Sequence, residues 1–192
     1  MRQPQLDLFG GGAPLPDGFH YRPEILSPAE ERRLLVHVRA LPFHEFVFQG
    51  YVGKRRVVSY GWRYDFDAEA LRPAVAIPPF LLRLREVAAA FAGTAPEGLE
   101  QVLVTEYAAG AAIGWHRDKA VFGDVVGVSL LAPCVFRLRR PSGATWERAS
   151  LTAEPRSAYL LRGPARTEWE HSIPAVPALR YSVTFRSLRA AG

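Results

Sequence analysis

The stretch RYSVTFR at residues 180–186 decides the fold class of this 192-residue chain. Successive side chains of a β-strand point to opposite faces, so Tyr181, Val183 and Phe185 share one face of the stretch. That face is apolar, whereas the opposite face begins and ends with an arginine. The pattern predicts a strand that packs its apolar face on a core, whereas its cationic face lies against a different, polar environment.

The cationic face consists of Arg180, Ser182, Thr184 and Arg186. Burying a guanidinium group without a partner is costly, so we expect this face to meet an acidic ligand. The stretch spans roughly 20 Å, and two arginine side chains leaning inward leave a gap that fits a five-carbon dicarboxylate. Alternatively, Arg186 pairs with an acidic residue of the chain, such as Asp118.

Two further stretches have helical patterns. A helix is predicted over residues 28–39, because Ser27, Pro28 and Glu30 form an N-terminal capping pattern before an apolar run. A second helix is predicted over residues 79–92, which follow tandem prolines. Its expected buried face contains Phe80, Leu84, Val87 and Phe91.

The remaining apolar segments indicate strands. They are predicted over residues 44–51, 55–62, 100–107, 124–131, 134–139, 157–162 and 179–188. Two helices with many short strands favour an α+β, mainly β fold, in which an antiparallel sandwich or barrel has both helices packed on one sheet. We expect one domain over residues 19–192, preceded by a flexible leader at residues 1–18.

Composition limits the class of protein. With 48% hydrophobic and 22% charged residues, the composition is globular. Its one cysteine excludes a disulfide framework and a thiolate zinc site, and suits a reducing compartment, so a cytoplasmic protein is expected. No signal peptide or membrane-spanning run is recognised, so no membrane partner is expected. The net charge of +5 and the preference for arginine suit nucleic acid, although a GC-rich genome also favours arginine.

The sequence WHRD at residues 115–118 carries a metal-binding pattern. In extended backbone His116 and Asp118 point to one face and can meet one metal ion. His171, near another predicted strand end, would complete a site with two histidines and one carboxylate, the arrangement of non-haem Fe(II) oxygenases. Alternatively, His116 lies on the surface and His171 hydrogen-bonds a carbonyl group.

These motifs together resemble the AlkB family of Fe(II)/2-oxoglutarate-dependent dioxygenases. The resemblance covers about residues 19–189 and rests on LVTEY at 103–107, GWHRD at 114–118, His171 and RYSVTFR at 180–186. It implies a double-stranded β-helix, or jelly roll, and the cofactors Fe(II), 2-oxoglutarate and O₂. It also implies residue roles: His116, Asp118 and His171 bind iron, and Tyr107, Arg180, Ser182 and Arg186 bind 2-oxoglutarate.

The segment SYGWRY at residues 59–64 is similar to the nucleotide-recognition lid of that family. Trp62 and Tyr64 are the candidates to stack on or border a flipped base. Further candidate substrate contacts, chiefly to phosphates, are Lys54, Arg55, Arg56 and Arg117. Alternatively, the aromatic side chains only pack and the basic hairpin is solvated.

The implied function is oxidative demethylation of alkylated DNA or RNA bases by a monomeric enzyme. The chain departs from the family pattern at Thr105 and Ser182, which replace asparagines, and at Ala120, which replaces an acidic residue. FGDVV at residues 122–126 is closer to branches that act on tRNA or protein. The alternatives are therefore a tRNA- or protein-modifying hydroxylase or demethylase of the family, and a non-catalytic nucleic-acid-binding module.

The leader contains a short motif that resembles the peptide by which bacterial repair and replication proteins dock on the sliding clamp. The motif residues are Gln5, Leu6, Asp7, Leu8 and Phe9. On docking, Leu8 and Phe9 would enter an apolar pocket and Gln5 would form hydrogen bonds, with the following glycines as a tether. Alternatively, the apolar residues pack back onto the domain as an edge segment.

A peptide of residues 1–14 is expected to bind the clamp of the source organism, measured by fluorescence anisotropy. The matched control is the same peptide with Leu8→Ala and Phe9→Ala, which removes the apolar anchors and should abolish binding. Equal binding of both peptides, or binding of neither, contradicts the clamp motif.

Overall fold

The structure is a computed structural model that describes residues 14–48 and 51–189, so the motif at residues 5–9 lies outside the described residues. The helices are α1 (Pro28–Val38), α2 (Pro79–Ala92) and the short α3 (Gly163–Thr167), and a 3₁₀ turn covers Pro96–Gly98. The strands are β1 (Phe19–Arg22), β2 (His44–Phe48), β3 (Tyr51–Tyr60), β4 (Trp62–Asp65), β5 (Ala70–Pro73), β6 (Gln101–Tyr107), β7 (Ile113–His116), β8 (Phe122–Leu130), β9 (Cys134–Ser142), β10 (Thr145–Ala153), β11 (Ala158–Leu161), β12 (Glu170–Ile173) and β13 (Arg180–Leu188). No helix in the described ranges is long and apolar enough to cross a membrane.

The α1 helix forms as its sequence predicts. The Ser27 hydroxyl accepts a hydrogen bond from the Glu30 backbone N–H at 3.2 Å, and the Glu30 carboxylate accepts one from the Ser27 N–H at 2.8 Å. This capping box satisfies amide groups that the first helical turn leaves without partners. The buried side of α1 includes Leu34, Leu35 and Val38.

The α2 helix has the predicted bounds but a different buried face. Leu81 and Leu84 are buried together with three alanines, whereas Phe80 and Phe91 are only partly buried. The expected buried face is therefore confirmed at Leu84 but wrong at Phe80, Val87 and Phe91, which are only partly buried. Alanines on the buried side let the helix approach the sheet closely, a preference that apolar periodicity alone does not contain.

The strands form two antiparallel sheets that face each other. The large sheet has the order β1-β11-β8-β13-β6-β3-β2, the small sheet has the order β10-β9-β12-β7, and β4 and β5 form a separate hairpin. One apolar core lies between α1, α2 and the large sheet, and a second lies between the two sheets. The mainly β prediction and the packing of both helices on one sheet are confirmed.

Several strands differ from the prediction for local reasons. The strand predicted over residues 55–62 is broken at Gly61, whose φ of +72° ends β3 and starts the β4 hairpin. The prediction missed β1, β5, β7, β10 and β12. Most side chains of β10 are exposed, so apolar alternation is absent there.

The packed domain begins slightly earlier than predicted. Pro16 is buried, and the Asp17 carbonyl accepts a hydrogen bond from the Ala165 N–H at 3.0 Å. The end of the predicted leader thus packs with the domain, because the Asp17 carbonyl accepts a hydrogen bond from the first turn of α3.

Replacing Gly61 with alanine is expected to destabilise the protein strongly. A Cβ at Gly61 would lie 2.1 Å from the Glu100 carbonyl oxygen, in addition to the strain of a positive φ. The loss of unfolding free energy in urea should be roughly 2–5 kcal/mol. The matched control is Gly143→Ala, which has a φ of +58° but nothing within 4 Å of the new Cβ, and should lose about 1 kcal/mol. Equal losses would contradict the close approach at Gly61.

Candidate active site

The inward face of β13 is polar and buried between the two sheets, as the alternation predicts. Arg180 is only 2% exposed, and its Nη2 donates to the Ser129 hydroxyl at 2.9 Å. Its Nε and Nη1 are buried without a hydrogen-bond partner, while the guanidinium lies 4.5 Å from the centre of the Tyr107 ring. Two unsatisfied donors on a buried cation are costly, so this position calls for an anionic ligand.

Arg186, at the other end of the same face, is already engaged by the protein. Its Nε and Nη2 donate to one carboxylate oxygen of Asp118 at 2.8 and 2.7 Å. Its Nη1 donates to the Gln101 side chain at 2.8 Å. The structure therefore favours the alternative in which Arg186 pairs with Asp118, and Arg180 is left as the arginine with free donors.

The three histidine and carboxylate candidates come together at one point. His116 on β7 is the direct cross-strand partner of His171 on β12, and their ring centres are 4.3 Å apart. The His171 Nε2 lies 3.7 Å from the Asp118 carboxylate. Nowhere in the described part of the chain are three such side chains already placed to hold one ion. Binding a metal ion here therefore requires these three side chains to move closer together.

The protonation states of these residues suit a cation. The His116 Nδ1 contacts the Gly114 carbonyl at 2.9 Å, so Nδ1 carries the proton and the Nε2 lone pair is free. Burial, and then the neighbouring His116, lower the pKa of His171 to about 3, so its ring is neutral. Burial alone would raise the pKa of Asp118, but the Arg186 guanidinium beside it lowers that pKa well below its usual range. Two neutral imidazoles with one carboxylate are a donor set that fits Fe(II).

Sequence reasoning missed several residues that support this site. The buried Arg166 on α3 donates to the carbonyl groups of Lys119, Phe122 and Gly123, which fixes the loop that follows Asp118. Ser129 and Gln101 hold the two arginines of β13. The Phe136 ring stacks on His171, with centres 5.4 Å apart. Only strand pairing could have found Ser129 and Gln101, because both lie on strands that pair with β13.

The predicted 2-oxoglutarate contacts Tyr107 and Ser182 lie beside Arg180. Both are buried, and the Tyr107 hydroxyl is 3.5 Å from the Ser182 hydroxyl. Tyr107 is also the cross-strand partner of Arg180. The residues predicted to bind one carboxylate ligand therefore surround the unsatisfied guanidinium.

The mouth of the site is aromatic and cationic. Lys119, next to Asp118 in sequence, lies 5.1 Å from the centre of the Tyr64 ring and 5.4 Å from that of Phe66. The Arg55 guanidinium lies 3.9 Å from the centre of the Phe46 ring. The β4–β5 hairpin, which carries Tyr64, thus borders the candidate metal centre.

The other predicted substrate residues differ in burial and in whether their side chains already have partners within the protein. Trp62 is partly buried on β4, and Lys54 is exposed. Arg56 forms an ion pair with Glu106 at 2.7 Å, so its guanidinium is already occupied. Arg117 is exposed and donates to the Thr167 carbonyl at 2.9 Å. Of the predicted basic contacts, Arg55 therefore has the position best suited to meet a substrate at the mouth.

The variant His171→Ala is expected to lose tight binding of Fe(II), or of Mn(II) as a stable substitute, in an anaerobic calorimetric titration. Removing a direct ligand should cost more than the roughly 10- to 100-fold that loss of an outer-shell partner costs. The control His20→Ala changes an exposed histidine on β1 and should bind like the wild type. Wild-type affinity in His171→Ala would show that this histidine is not a ligand.

Comparisons with known proteins agree with this arrangement. The family model of the 2OG-Fe(II) oxygenase superfamily matches residues 18–186. The chain is 30% identical to the "Alkylated DNA repair protein ALKBH8 homolog" of Arabidopsis thaliana over 82% of its own length, and spans about half of that relative, 51%. The structure of OsALKBH1 covers 92% of this chain and matches over 100% of its own, with a TM-score of 0.67 and 16% identity.

A prolyl-4-hydroxylase of Pseudomonas putida has a TM-score of 0.59 at 12% identity, over 91% of this chain and 94% of its own. At such low identities, the two structures show a shared fold alone. The family match covers both sheets and every candidate ligand described above. The chain therefore belongs to the 2OG-Fe(II) oxygenase superfamily, within which it is AlkB-like, and its cofactors are those of the superfamily: Fe(II), 2-oxoglutarate and O₂.

Proposed function

We propose that this protein oxidatively demethylates alkylated nucleic acid bases. The observation that carries the proposal is the aromatic and cationic mouth directly beside Asp118, where Tyr64 and Phe66 lie next to Lys119. Aromatic rings stack on any base, and cations attract the phosphate backbone. A mouth of this chemistry suits a base that has been turned out of its strand.

The fold proposal is a double-stranded β-helix, or jelly roll. From β6 onward the chain places strands by turns in the large sheet (β6, β8, β11, β13) and in the small sheet (β7, β9, β10, β12). This exchange between two facing sheets is how a jelly roll is wound. It brings β7 and β12, with their histidines, opposite β13, with its arginines.

The proposed roles follow from the contacts. His116, Asp118 and His171 hold Fe(II), with Arg186 and Gln101 keeping the Asp118 carboxylate ionised and oriented. Arg180 anchors the far carboxylate of 2-oxoglutarate, because its two unsatisfied donors need an acceptor. Tyr107 and Ser182 lie next to that anchor and complete its hydrogen bonds.

The protein's contribution to the reaction is placement. When bound, Fe(II) with O₂ oxidises a C–H bond of the substrate while 2-oxoglutarate is converted to succinate and carbon dioxide. The chain fixes the co-substrate at Arg180 and excludes water with the apolar core between the sheets. The β4–β5 hairpin holds the base so that its methyl group faces the metal. A hydroxylated N-methyl group then breaks down to formaldehyde and the free base.

A second basic surface supports a nucleic acid substrate. On the outer face of the small sheet, the Arg139 guanidinium lies 4.3 Å from the Trp115 ring centre and 4.1 Å from that of Trp146. Arg148 is its direct cross-strand neighbour, although like charges placed opposite each other are destabilising. Trp146 remains 41% exposed. Arg139 is paired with Glu170 at 2.7 Å, whereas Arg148 has no acidic partner among the described residues. Exposed indole beside an unpaired guanidinium is a surface that a single strand can follow.

We also propose that the protein works as a cytoplasmic monomer and reaches DNA through the clamp motif at residues 5–9. Clamp docking favours DNA over tRNA or protein as the substrate, so it would support the proposal that this protein acts on alkylated DNA. If the peptide of residues 1–14 does not bind the clamp, RNA becomes the favoured substrate.

Succinate and formaldehyde release should rise when methylated oligonucleotides are added, with matched DNA, RNA and peptide substrates compared. Tyr64→Ala should raise KM for the oligonucleotide roughly 10-fold, because stacking on one aromatic ring is lost. Arg83→Gln, on the exposed side of α2, is the matched control and should leave KM unchanged.

Each other result has a stated meaning. Turnover with tRNA or a methylated peptide alone replaces the DNA proposal with the modifying branch of the family. No succinate with any substrate, even uncoupled, indicates a binding module without catalysis.

A further inference from the structure

The side chain of Tyr159 on β11 is partly buried, and its hydroxyl has no hydrogen-bond partner among the described residues. The Tyr159 ring packs on Phe136, with centres 4.4 Å apart, and stacks on Phe19 at 6.3 Å. Its ring is therefore fixed between the sheets while its polar tip is left without a partner.

A glycine makes room for this tyrosine. Gly127 on β8 is the cross-strand partner of Tyr159, and a Cβ there would lie 2.2 Å from the ring carbon that bears the hydroxyl and 2.4 Å from the oxygen. The side chain thus lies flat over Gly127 and points away from β11 toward β13. Thr184, on the polar face of β13, is the next residue across the sheet.

The hydroxyl reaches the space in which Arg180 has its free donors. Burial raises the pKa of the Tyr159 hydroxyl, and the charges of Asp118 and Arg180 also act on it, so the hydroxyl stays a donor. Arg180 is bound to Ser129, which lies two residues from Gly127 on the same strand. The two side chains therefore bring unsatisfied donors to one space from adjacent parts of the large sheet.

We infer that Tyr159 donates a hydrogen bond to the same ligand carboxylate that Arg180 anchors. This inference rests on the proposed assignment of Arg180 to the far carboxylate of 2-oxoglutarate. A carboxylate has room for several donors, so one group satisfies Arg180 Nε, Arg180 Nη1 and the tyrosine hydroxyl together. Tyr159 is then a positioning residue that selects a co-substrate with a second carboxylate.

The test compares the affinity of the Mn(II)-loaded full chain for two ligands by calorimetry. One is 2-oxoglutarate, and the other is 2-oxobutyrate, which keeps the 2-oxo acid end but lacks the far carboxylate. Tyr159→Phe should bind 2-oxoglutarate roughly 10-fold or more weakly, the usual loss for a hydrogen bond to a charged group. Its affinity for 2-oxobutyrate should equal that of the wild type.

Two further variants make the result specific. Tyr21→Phe removes a hydroxyl that accepts from the Glu154 N–H away from this space, and should change neither affinity. Gly127→Ala keeps the hydroxyl but pushes the ring aside, and should also weaken 2-oxoglutarate binding. Near-ultraviolet circular dichroism checks that each variant is folded.

The outcomes separate this inference from the proposal it rests on. Unchanged 2-oxoglutarate affinity in Tyr159→Phe, with clear loss in Arg180→Gln, overturns the role of Tyr159 alone. Equal loss of both ligands in Tyr159→Phe also overturns it, since that result indicates a packing role. Absence of 2-oxoglutarate binding to the wild type, or full binding in Arg180→Gln, overturns the Arg180 assignment itself.

Discussion

The structure depends on one costly placement, the burial of Arg180 between two sheets with only one of its side-chain nitrogens hydrogen-bonded. An unpaired charge in such a place is tolerated only where an anion completes it. The surrounding elements serve that requirement. The alternation of β13 separates the arginine face from the apolar face that packs on the helices, and the small sheet closes the space from the other side. The fold thus places a buried cation where an anionic ligand can bind it.

The two arginines of β13 belong to one motif but have different electrostatic roles. Arg186 is neutralised by Asp118 inside the protein, so in the proposed function it acts on the metal through the carboxylate that it orients. Arg180 has no acidic partner among the described residues, and in the proposed function it binds the ligand directly. In the proposed function a single strand therefore links the two halves of the site, because its two ends would fix the co-substrate and a metal ligand at a set separation.

The sequence predicted most of the residues that the structure brings together at the candidate site, but less of the fold around them. The periodicity of residues 180–186 and the spacing of His116 and Asp118 were sufficient, because both depend only on local backbone geometry. The α2 face, the break at Gly61 and the exposed β10 were not, since each depends on contacts between distant segments. The same limit hid Arg166, whose hydrogen bonds all reach a loop over forty residues away.

On the inner face of the large sheet, short side chains leave open space in the middle, and long side chains bring hydrogen-bond donors to that space from either side. Ser182 has Ser129 and Thr105 as its cross-strand partners, so short hydroxyl side chains occupy the middle of this face. Long donors reach over them from the edges, from Arg180 on one side and from Tyr159 above Gly127 on the other. Larger residues in the middle row would fill the space that an anionic ligand needs and would leave the Arg180 donors without a partner. Hydrogen-bond donors outnumber acceptors there, so a neutral ligand of the same size would leave the guanidinium charge unpaired. The space therefore discriminates against neutral ligands by charge, even where their shape fits.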